Sequence, residues 1–265
     1  SYKEVERMRL YWKYLKIHLK SQMQYRVSFL MTTLGQFITS FSALLSIYFL
    51  MSRFHEIDGF SLSEILLCFA VILMAFSLAE CFVRGFDRFS SIISNGAFDR
   101  IMVRPRGEML QVLCSQIEFS RLGRLVQAIC VFCYAIPTSG VRWTADNIVL
   151  LILMILSGSA VFSGLFIIHA SLCFFTTEGL EFINIFTDGG REFGAYPLAV
   201  YGEGILKFFT YIVPLALVQY YPFLYLTGRS DRLLYFLTPL IACLFLIPCF
   251  LLWRAGVRHY KSTGS

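Results

Sequence analysis

Long apolar stretches alternate with short charged ones along this chain of 265 residues. A helix needs about 20 mostly apolar residues to cross the hydrocarbon core of a bilayer. Five runs approach or exceed this length; they cover 27–52, 62–83, a third run ending near Pro137, 148–175 and 233–253. Short polar turns such as HEIDGFS separate them. The pattern therefore predicts antiparallel helices that cross a membrane.

The segment between the fourth and the last run allows two interpretations. Hydropathy favours a span over 205–227, but Pro214 and Pro222 interrupt that run. Because proline removes a backbone donor from a helix, the run is equally typical of two re-entrant half-helices. In that case the more polar stretch 177–198 is the fifth span. The residue pattern alone leaves both arrangements open.

Residues 1–26 have the pattern of an amphipathic helix, with apolar positions at helical spacing beside a basic stripe. The apolar positions are Val5, Met8, Trp12, Leu15, Leu19 and Met23, and the basic ones are Arg9, Lys13, Lys16 and Lys20. Each basic residue near an anionic lipid surface contributes about 1 kcal/mol, so we expect this helix to lie flat in the interface. The alternative, a solvated helix, would leave Trp12 uncovered.

The composition agrees with a membrane protein, because 57% of the residues are hydrophobic and only 15% are charged. The basic residues predict the orientation. If both termini lie inside, the inner side carries seven Lys and Arg in 1–26, five in 84–106 and three in the C-terminal tail, against four outside. Loops rich in Lys and Arg stay in the cytoplasm, so both termini are expected there.

A short polar segment, SNGAFDRIMVRPRG, occupies residues 94–107 between the second and third runs. Ser94 or Asn95 is expected to cap a helix of about two turns, which ends before Pro105. On this helix an apolar face and a charged face separate. The apolar face would consist of Phe98, Ile101 and Met102, and the charged residues are Asp99, Arg100, Arg104 and Arg106. A basic loop that only sets the topology is the alternative.

Motifs for catalysis or nucleotide binding are missing from the sequence. It has no GxxxxGK[ST] loop, no HExxH and no GxSxG. Glu178 and Glu181 share a helical face, but the second histidine that a metal site would need is absent. The eight cysteines lie in or beside apolar runs and are interpreted as small hydrophobic residues, despite the CxxC of Cys130 and Cys133. We therefore expect no enzyme, no metal site and no cofactor in this chain.

Ionisable residues inside the spans are costly, at about 2.5 to 3.5 kcal/mol near the membrane centre, so each one calls for an explanation. Glu80, near the inner end of the second run, is expected to form an ion pair with Arg121 or Arg124 near the inner end of the third. His169 would either line a pathway or bond to a backbone carbonyl, and we favour the carbonyl.

The stretch EGLEFINIFTDGGREFGAYPLAVYGEGILKFFTYIVPLALVQYYPFLYLTGR, residues 178–229, resembles membrane subunits of ABC-2 type ATP-binding-cassette exporters. Its landmarks GG, YP, VY, FFT, VP and YYP have the order seen in a bacterial subfamily of short permeases with six spans. The segments FDRIMVRP and GVRHYKSTGS are also similar to that subfamily. One departure is Gln219, where the subfamily has Asn.

The resemblance implies an all-α membrane protein with six transmembrane helices, which forms a single permease domain over 1–265. It adds an interfacial helix over 1–26, a cytoplasmic coupling helix within 94–104 and a re-entrant helical pair over 203–228, and it favours 177–198 as the fifth span. The residues expected to dock on an ATPase are Asn95, Phe98, Asp99, Arg100, Ile101, Met102 and Arg104. Those expected to line the pathway are His169, Glu178, Glu181, Asn184, Asp188, Arg191 and Gln219.

The resemblance also implies partners. Two permease chains, often related but different, would work with two ATPase subunits, which bind ATP and Mg²⁺, in the bacterial inner membrane. Membrane lipids are expected as further partners and nucleic acid is not. The chief alternative is a membrane anchor or sensor that recruits a cytoplasmic partner without transporting a substrate.

Overall fold

The computed structural model describes residues 2–54, 56–176 and 181–260. Regular structure in these ranges is helical apart from one isolated bridge between Ile57 and Phe60. The helices are α1 Tyr2–Gln24, α2 Arg26–Phe54, α3 Leu62–Asp87, α4 Phe89–Ser94, α5 Ala97–Met102, α6 Glu108–Leu113, α7 Leu122–Thr138, α8 Ala145–Leu172, α9 Asn184–Phe193, α10 Glu203–Tyr211, α11 Leu215–Val218, α12 Tyr220–Leu226, α13 Leu233–Ala242 and α14 Leu246–His259.

Five helical rods in the described ranges are long and apolar enough to cross a membrane. They are Arg26–Phe54, Leu62–Ser94, Phe119–Thr138, Ala145–Leu172 and Leu233–His259. Each overlaps one of the runs predicted from hydropathy, although the second rod continues beyond residue 83 to Ser94, and the all-helical class is confirmed for the described residues. The end of this bundle at which α2 begins is called the basal end below.

Capping residues mark the beginning of the two most apolar rods. Ser61 and Glu64 form a capping box before α3: the Glu64 amide donates to the Ser61 hydroxyl, and the Ser61 amide donates to the Glu64 carboxylate. Thr144 accepts a bond from the amide of Asn147 at the start of α8. These caps satisfy amides that a helix end would otherwise leave unpaired.

The rod that begins with α3 is the centre of the bundle. It packs between α7 and α8, α14 packs on α8, and α2 lies at the periphery with most of its side chains exposed. Small residues allow these close approaches, as is typical of helix packing in membranes. A Cβ atom added to Gly158 of α8 would lie 2.8 Å from the Cβ of Ala75, and one added to Gly123 of α7 would lie 2.4 Å from the carbonyl oxygen of Thr33.

The polar segment before the last rod is broken into short helices. α9 has 10 residues and ends before the Tyr196–Pro197 bond, where helical geometry is disfavoured. The helical stretches Glu203–Tyr211 and Leu215–Leu226 meet at a bend of 86°, with Pro214 at the break. Neither segment that the sequence offered as the fifth span is therefore one straight helix of spanning length within the described residues.

Substitution of Gly123 by alanine tests the close contact between α2 and α7. The added methyl group would overlap the Thr33 carbonyl, so the two helices must move apart, and such overpacking typically costs about 1–3 kcal/mol. We expect a lower thermal unfolding temperature for the purified protein in detergent. Gly35→Ala is the matched control, because a Cβ at exposed Gly35 meets no atom within 4 Å. Equal unfolding temperatures of the two variants would contradict the contact.

Candidate functional site

A network of buried charges joins α3 to the beginning of the third rod. Glu80 is only 3% exposed. Its carboxylate lies 2.5 Å from Arg124, 3.2 Å from Arg84 and 3.4 Å from Arg121. The structure thus brings Glu80 together with both arginines that the sequence offered as partners, and with a third from its own helix.

Two further carboxylates complete this network. Asp87 lies 2.8 Å from Arg84, and Glu118 lies 2.9 Å from Arg121 and 3.8 Å from Arg84. Three arginines therefore face three carboxylates among the described residues. Because buried charges are tolerated only when they are paired, this balance allows the network to exist within the bundle.

Polar contacts connect the same region to the peripheral helix α2. Arg121 donates to the Gln36 side chain over 3.0 Å, and the Ser40 hydroxyl donates to the Gln127 side chain over 2.6 Å. These bonds hold α2 against α7 although α2 buries few of its own side chains. Hydrogen bonds between spans are worth about 0.6 to 2 kcal/mol each, so they add to the packing around Gly123.

A cavity of about 200 Å³ lies between α2, α3, α7 and α9. Hydroxyl groups of α2 line one side, and two arginines and a carboxylate line the other. The polar lining residues are Thr39, Ser40, Ser42, Ser46, Arg124, Arg191 and Glu192. The α2 hydroxyls were not among the candidates from the sequence; their signal was the recurrence of Ser and Thr in an otherwise apolar span.

Among the predicted pathway residues whose side chains the structure describes, Arg191 reaches this cavity. Its guanidinium lies 2.5 Å from Glu192 and 3.8 Å from Asp188, and it stacks over the ring of Phe76. Asp188 and Asn184 are exposed on α9. Glu178 and the side chain of Glu181 lie outside the described residues.

Gln219 lies apart from the cavity and is completely buried. Its side-chain amide donates to the carbonyl oxygens of Tyr196, over 2.8 Å, and Gly194, over 3.3 Å, and it contacts the sulfur of Cys68. Gly194 and Tyr196 follow the end of α9, where carbonyl groups lose their helical partners. Gln219 thus satisfies backbone groups at a helix end within the bundle.

His169 faces a carboxylate instead of the backbone carbonyl that we favoured from the sequence. Its Nδ1 lies 3.8 Å from Asp87, and its buried Nε2 has no hydrogen-bond partner among the described residues. The expectation was wrong because α3 and α8 pack so closely that the end of α3 places Asp87 beside the imidazole. His169 does not line the cavity beside Arg191.

The short helix α5 starts differently from the sequence prediction. Ser94 is the last residue of α4, Asn95 is its C-cap, and Gly96 precedes α5 without a side-chain cap. Gly96 has a φ of 64°, in the left-handed region that favours glycine, so the chain turns between α4 and α5. The predicted caps, Ser94 and Asn95, lie before this turn and therefore do not cap α5. α5 therefore covers Ala97–Met102 only.

Phe98 of α5 points into the protein and is completely buried. Its ring contacts four other aromatic rings at centroid distances of 5.0 to 6.5 Å: Phe89 of α4, Trp253 of α14, and Phe174 and Tyr260, which follow α8 and α14. Asp99 accepts a hydrogen bond from the Tyr260 hydroxyl over 3.0 Å. The predicted apolar face is therefore divided: Phe98 is inside, Ile101 is half-buried and Met102 is exposed.

The N-terminal helix is fixed to the chain before the third rod. His18 Nε2 lies 2.9 Å from the carbonyl of Cys114, and the Gln22 side chain bonds to the Ile117 carbonyl and the Phe119 amide. Burial raises the pKa of Cys114 to about 11 and that of Tyr11 to about 12, so both groups stay neutral near pH 7. No pattern in the sequence predicted these long-range bonds.

The family described as "ABC-2 family transporter protein" matches residues 37–264, which is most of the chain. The chain belongs to this family. Neither a curated protein nor a solved structure matches it. ABC-2 membrane subunits are generally non-catalytic and work with ABC ATPases. The cavity and the short helix α5 are thus features of a multi-pass transport permease.

Removal of the central carboxylate tests how far the packing of this ABC-2 permease depends on it. Glu80→Gln would leave buried Arg124 and half-buried Arg84 and Arg121 with too little negative charge, and breaking a buried ion pair typically costs about 3–5 kcal/mol. We expect a large fall in the thermal unfolding temperature in detergent, and partial recovery when Arg124→Gln is added.

Glu203→Gln provides the matched control. Glu203 pairs with Lys207 over 2.9 Å, but both side chains are exposed, so the same substitution should change stability little. An unfolding temperature of Glu80→Gln equal to that of Glu203→Gln would show that the buried network is not a stabilising element.

Proposed function

We propose that this chain is the permease subunit of an ATP-driven exporter, and that α5 is the helix on which a separate ATPase subunit acts. The observation that carries the proposal is the two-sided character of α5. Phe98 anchors the helix in the protein, whereas Asn95, Arg100, Met102, Val103 and Arg104 are exposed around it. A short helix with exposed apolar and basic residues suits a groove with an acidic rim.

The aromatic cluster around Phe98 supports transmission of a push from α5 into the membrane. Trp253 belongs to the last rod, Tyr260 directly follows that rod, and Phe174 follows α8. Edge-to-face ring pairs resist sliding because each ring fits between its neighbours. Movement of α5 would therefore move the basal ends of α8 and α14 with it.

The cavity beside α2 and α9 supports a pathway for the substrate. It combines serine and threonine hydroxyls with Arg124, Arg191 and Glu192, which is a polar surface inside an apolar bundle. α2 leaves most of its surface exposed, and in our proposal a second permease chain, identical or related, covers the part of α2 beside the cavity and completes the pathway.

The proposed topology has both termini in the cytoplasm of a bacterium. Trp12 and Ile17 of α1 are 60% and 61% exposed, which suits a helix that lies in the lipid interface. The stretch around α9 would serve as the fifth span, and the bent pair over 203–226 would be re-entrant near the outer surface. Gln219 supports this arrangement because it satisfies the backbone where the chain turns.

Reversal of charge on α5 tests the docking. Arg100→Glu combined with Arg104→Glu changes two exposed residues and leaves Phe98 in place. The chain would be co-expressed with the ABC ATPases of its own genome and reconstituted in lipid nanodiscs. We expect the loss of two ion pairs across the groove to reduce ATPase association about tenfold or more, together with ATP turnover.

Arg254→Glu is the control, because Arg254 is an exposed arginine of α14 outside the short helix. Full association and ATP turnover in the α5 variant would refute the docking. A test of candidate substrates then separates an exporter from a membrane anchor, since only a transporter should change its ATP turnover when substrate is added.

A further inference from the structure

A second polar cavity, of about 490 Å³, opens at the basal end. It lies between the junction of α1 and α2, the end of α3 and the turn before α7, and we call it the basal notch. Its polar lining includes Ser21, Ser28, Arg88, Glu118, Ser120 and Arg121. The notch is separate from the cavity beside Arg191, and the proposed function does not use it.

The guanidinium of Arg88 lies outside the ion pairs of the described residues, although its charge acts on Asp87, its neighbour in the chain. Arg121 is neutralised by Glu118 and Glu80. Arg88 is exposed, and its guanidinium makes no ion pair with any described residue. The notch therefore has a positive side at Arg88, and its single carboxylate is occupied by Arg121 and Arg84.

Hydroxyl groups surround this positive side. Ser21 and Ser28 belong to α1 and α2, and Ser120 belongs to the turn before α7. None of these hydroxyls donates a hydrogen bond within the part of the chain that the structure describes. A guanidinium with several free hydroxyl donors is the combination that binds a phosphate oxygen.

The notch lies near the basal ends of three of the rods that are long and apolar enough to cross a membrane. α2 begins at Arg26, the second rod ends at Ser94, and the third begins at Phe119. Beside the notch, Val27, Leu30 and Met31 of α2 are 73%, 56% and 61% exposed. A phosphate in the notch would therefore have an apolar helix surface next to it, on the side that faces the hydrocarbon.

We propose that the basal notch binds the phosphate of an anionic membrane phospholipid, whose acyl chains lie along the exposed face of α2. Basic pockets between spans are typical headgroup sites. The notch is bordered by Gln22, which joins α1 to the chain before the third rod. A bound lipid would bridge α1, α2 and the end of α3, and would hold the N-terminal helix on the bundle.

Native mass spectrometry of the purified full chain, with its lipid removed, tests the proposal. The probes are palmitoyl-oleoyl phosphatidylglycerol, the corresponding phosphatidylcholine and inorganic phosphate. We expect one tightly bound phosphatidylglycerol, with affinity reduced about tenfold in Arg88→Gln, which removes the cation. Ser28→Leu should have a similar effect, since it fills the notch without a change in charge.

Arg106→Gln is the matched control, because it removes the same charge from an exposed arginine outside the notch. Its affinity for phosphatidylglycerol should equal that of the unsubstituted chain. Unchanged affinity in both notch variants would overturn the site. Equal binding of phosphatidylcholine would overturn the preference for an anionic lipid, and equally tight binding of inorganic phosphate would assign the notch to free phosphate instead.

Discussion

The position of one carboxylate, Glu80, constrains much of this bundle. A carboxylate inside a membrane protein must be paired, and here arginines from its own helix and from the start of the third rod supply the charge. The geometry fixes the register of the second rod against the third. Arg124 then forms part of the cavity wall, and Arg121 reaches Gln36 on α2. The same charge cluster thus stabilises the bundle and shapes the polar cavity inside it.

The broken segment before the last rod depends on a second constraint, the need to satisfy every backbone group away from water. A helix as short as α9 leaves carbonyl groups unpaired where it ends. The side-chain amide of Gln219 donates hydrogen bonds to two of these carbonyl groups, and Gln219 is completely buried within the segment. At the opposite end of α12, Arg229 bonds to the Gly59 carbonyl and pairs with Glu64 at the start of α3. The short helices between the fourth and last rods are therefore held at both ends by specific polar contacts.

Hydropathy predicted the five long rods because a helix that crosses lipid needs a long apolar run, and such a run can be read directly from the sequence. The positions of the charges along the runs also predicted Arg121 and Arg124 as partners of Glu80, but not Arg84 from the same helix. Contacts that depend on packing could not be obtained in this way. The inward direction of Phe98 depends on rings about 75 to 160 residues away, and the reversal at Gly96 moved the helix start past Ser94 and Asn95. The α2 hydroxyls line a cavity only because α9 packs beside α2, and that packing cannot be predicted from local sequence.

The two polar and aromatic clusters divide the bundle into parts with different roles in the proposed mechanism. The Glu80 network holds the second rod on the third, whereas the Phe98 cluster holds α5 on the fourth and last rods. Asp87 and His169 connect the Glu80 network to the fourth rod, because Asp87 belongs to the network and His169 belongs to α8. Their separation of 3.8 Å is longer than a good hydrogen bond, and the other imidazole nitrogen is unpaired. Although this polar contact is long, α3 and α8 pack closely along their length, with Gly158 against Ala75, so a push on α5 that moves α8 would move α3 with it.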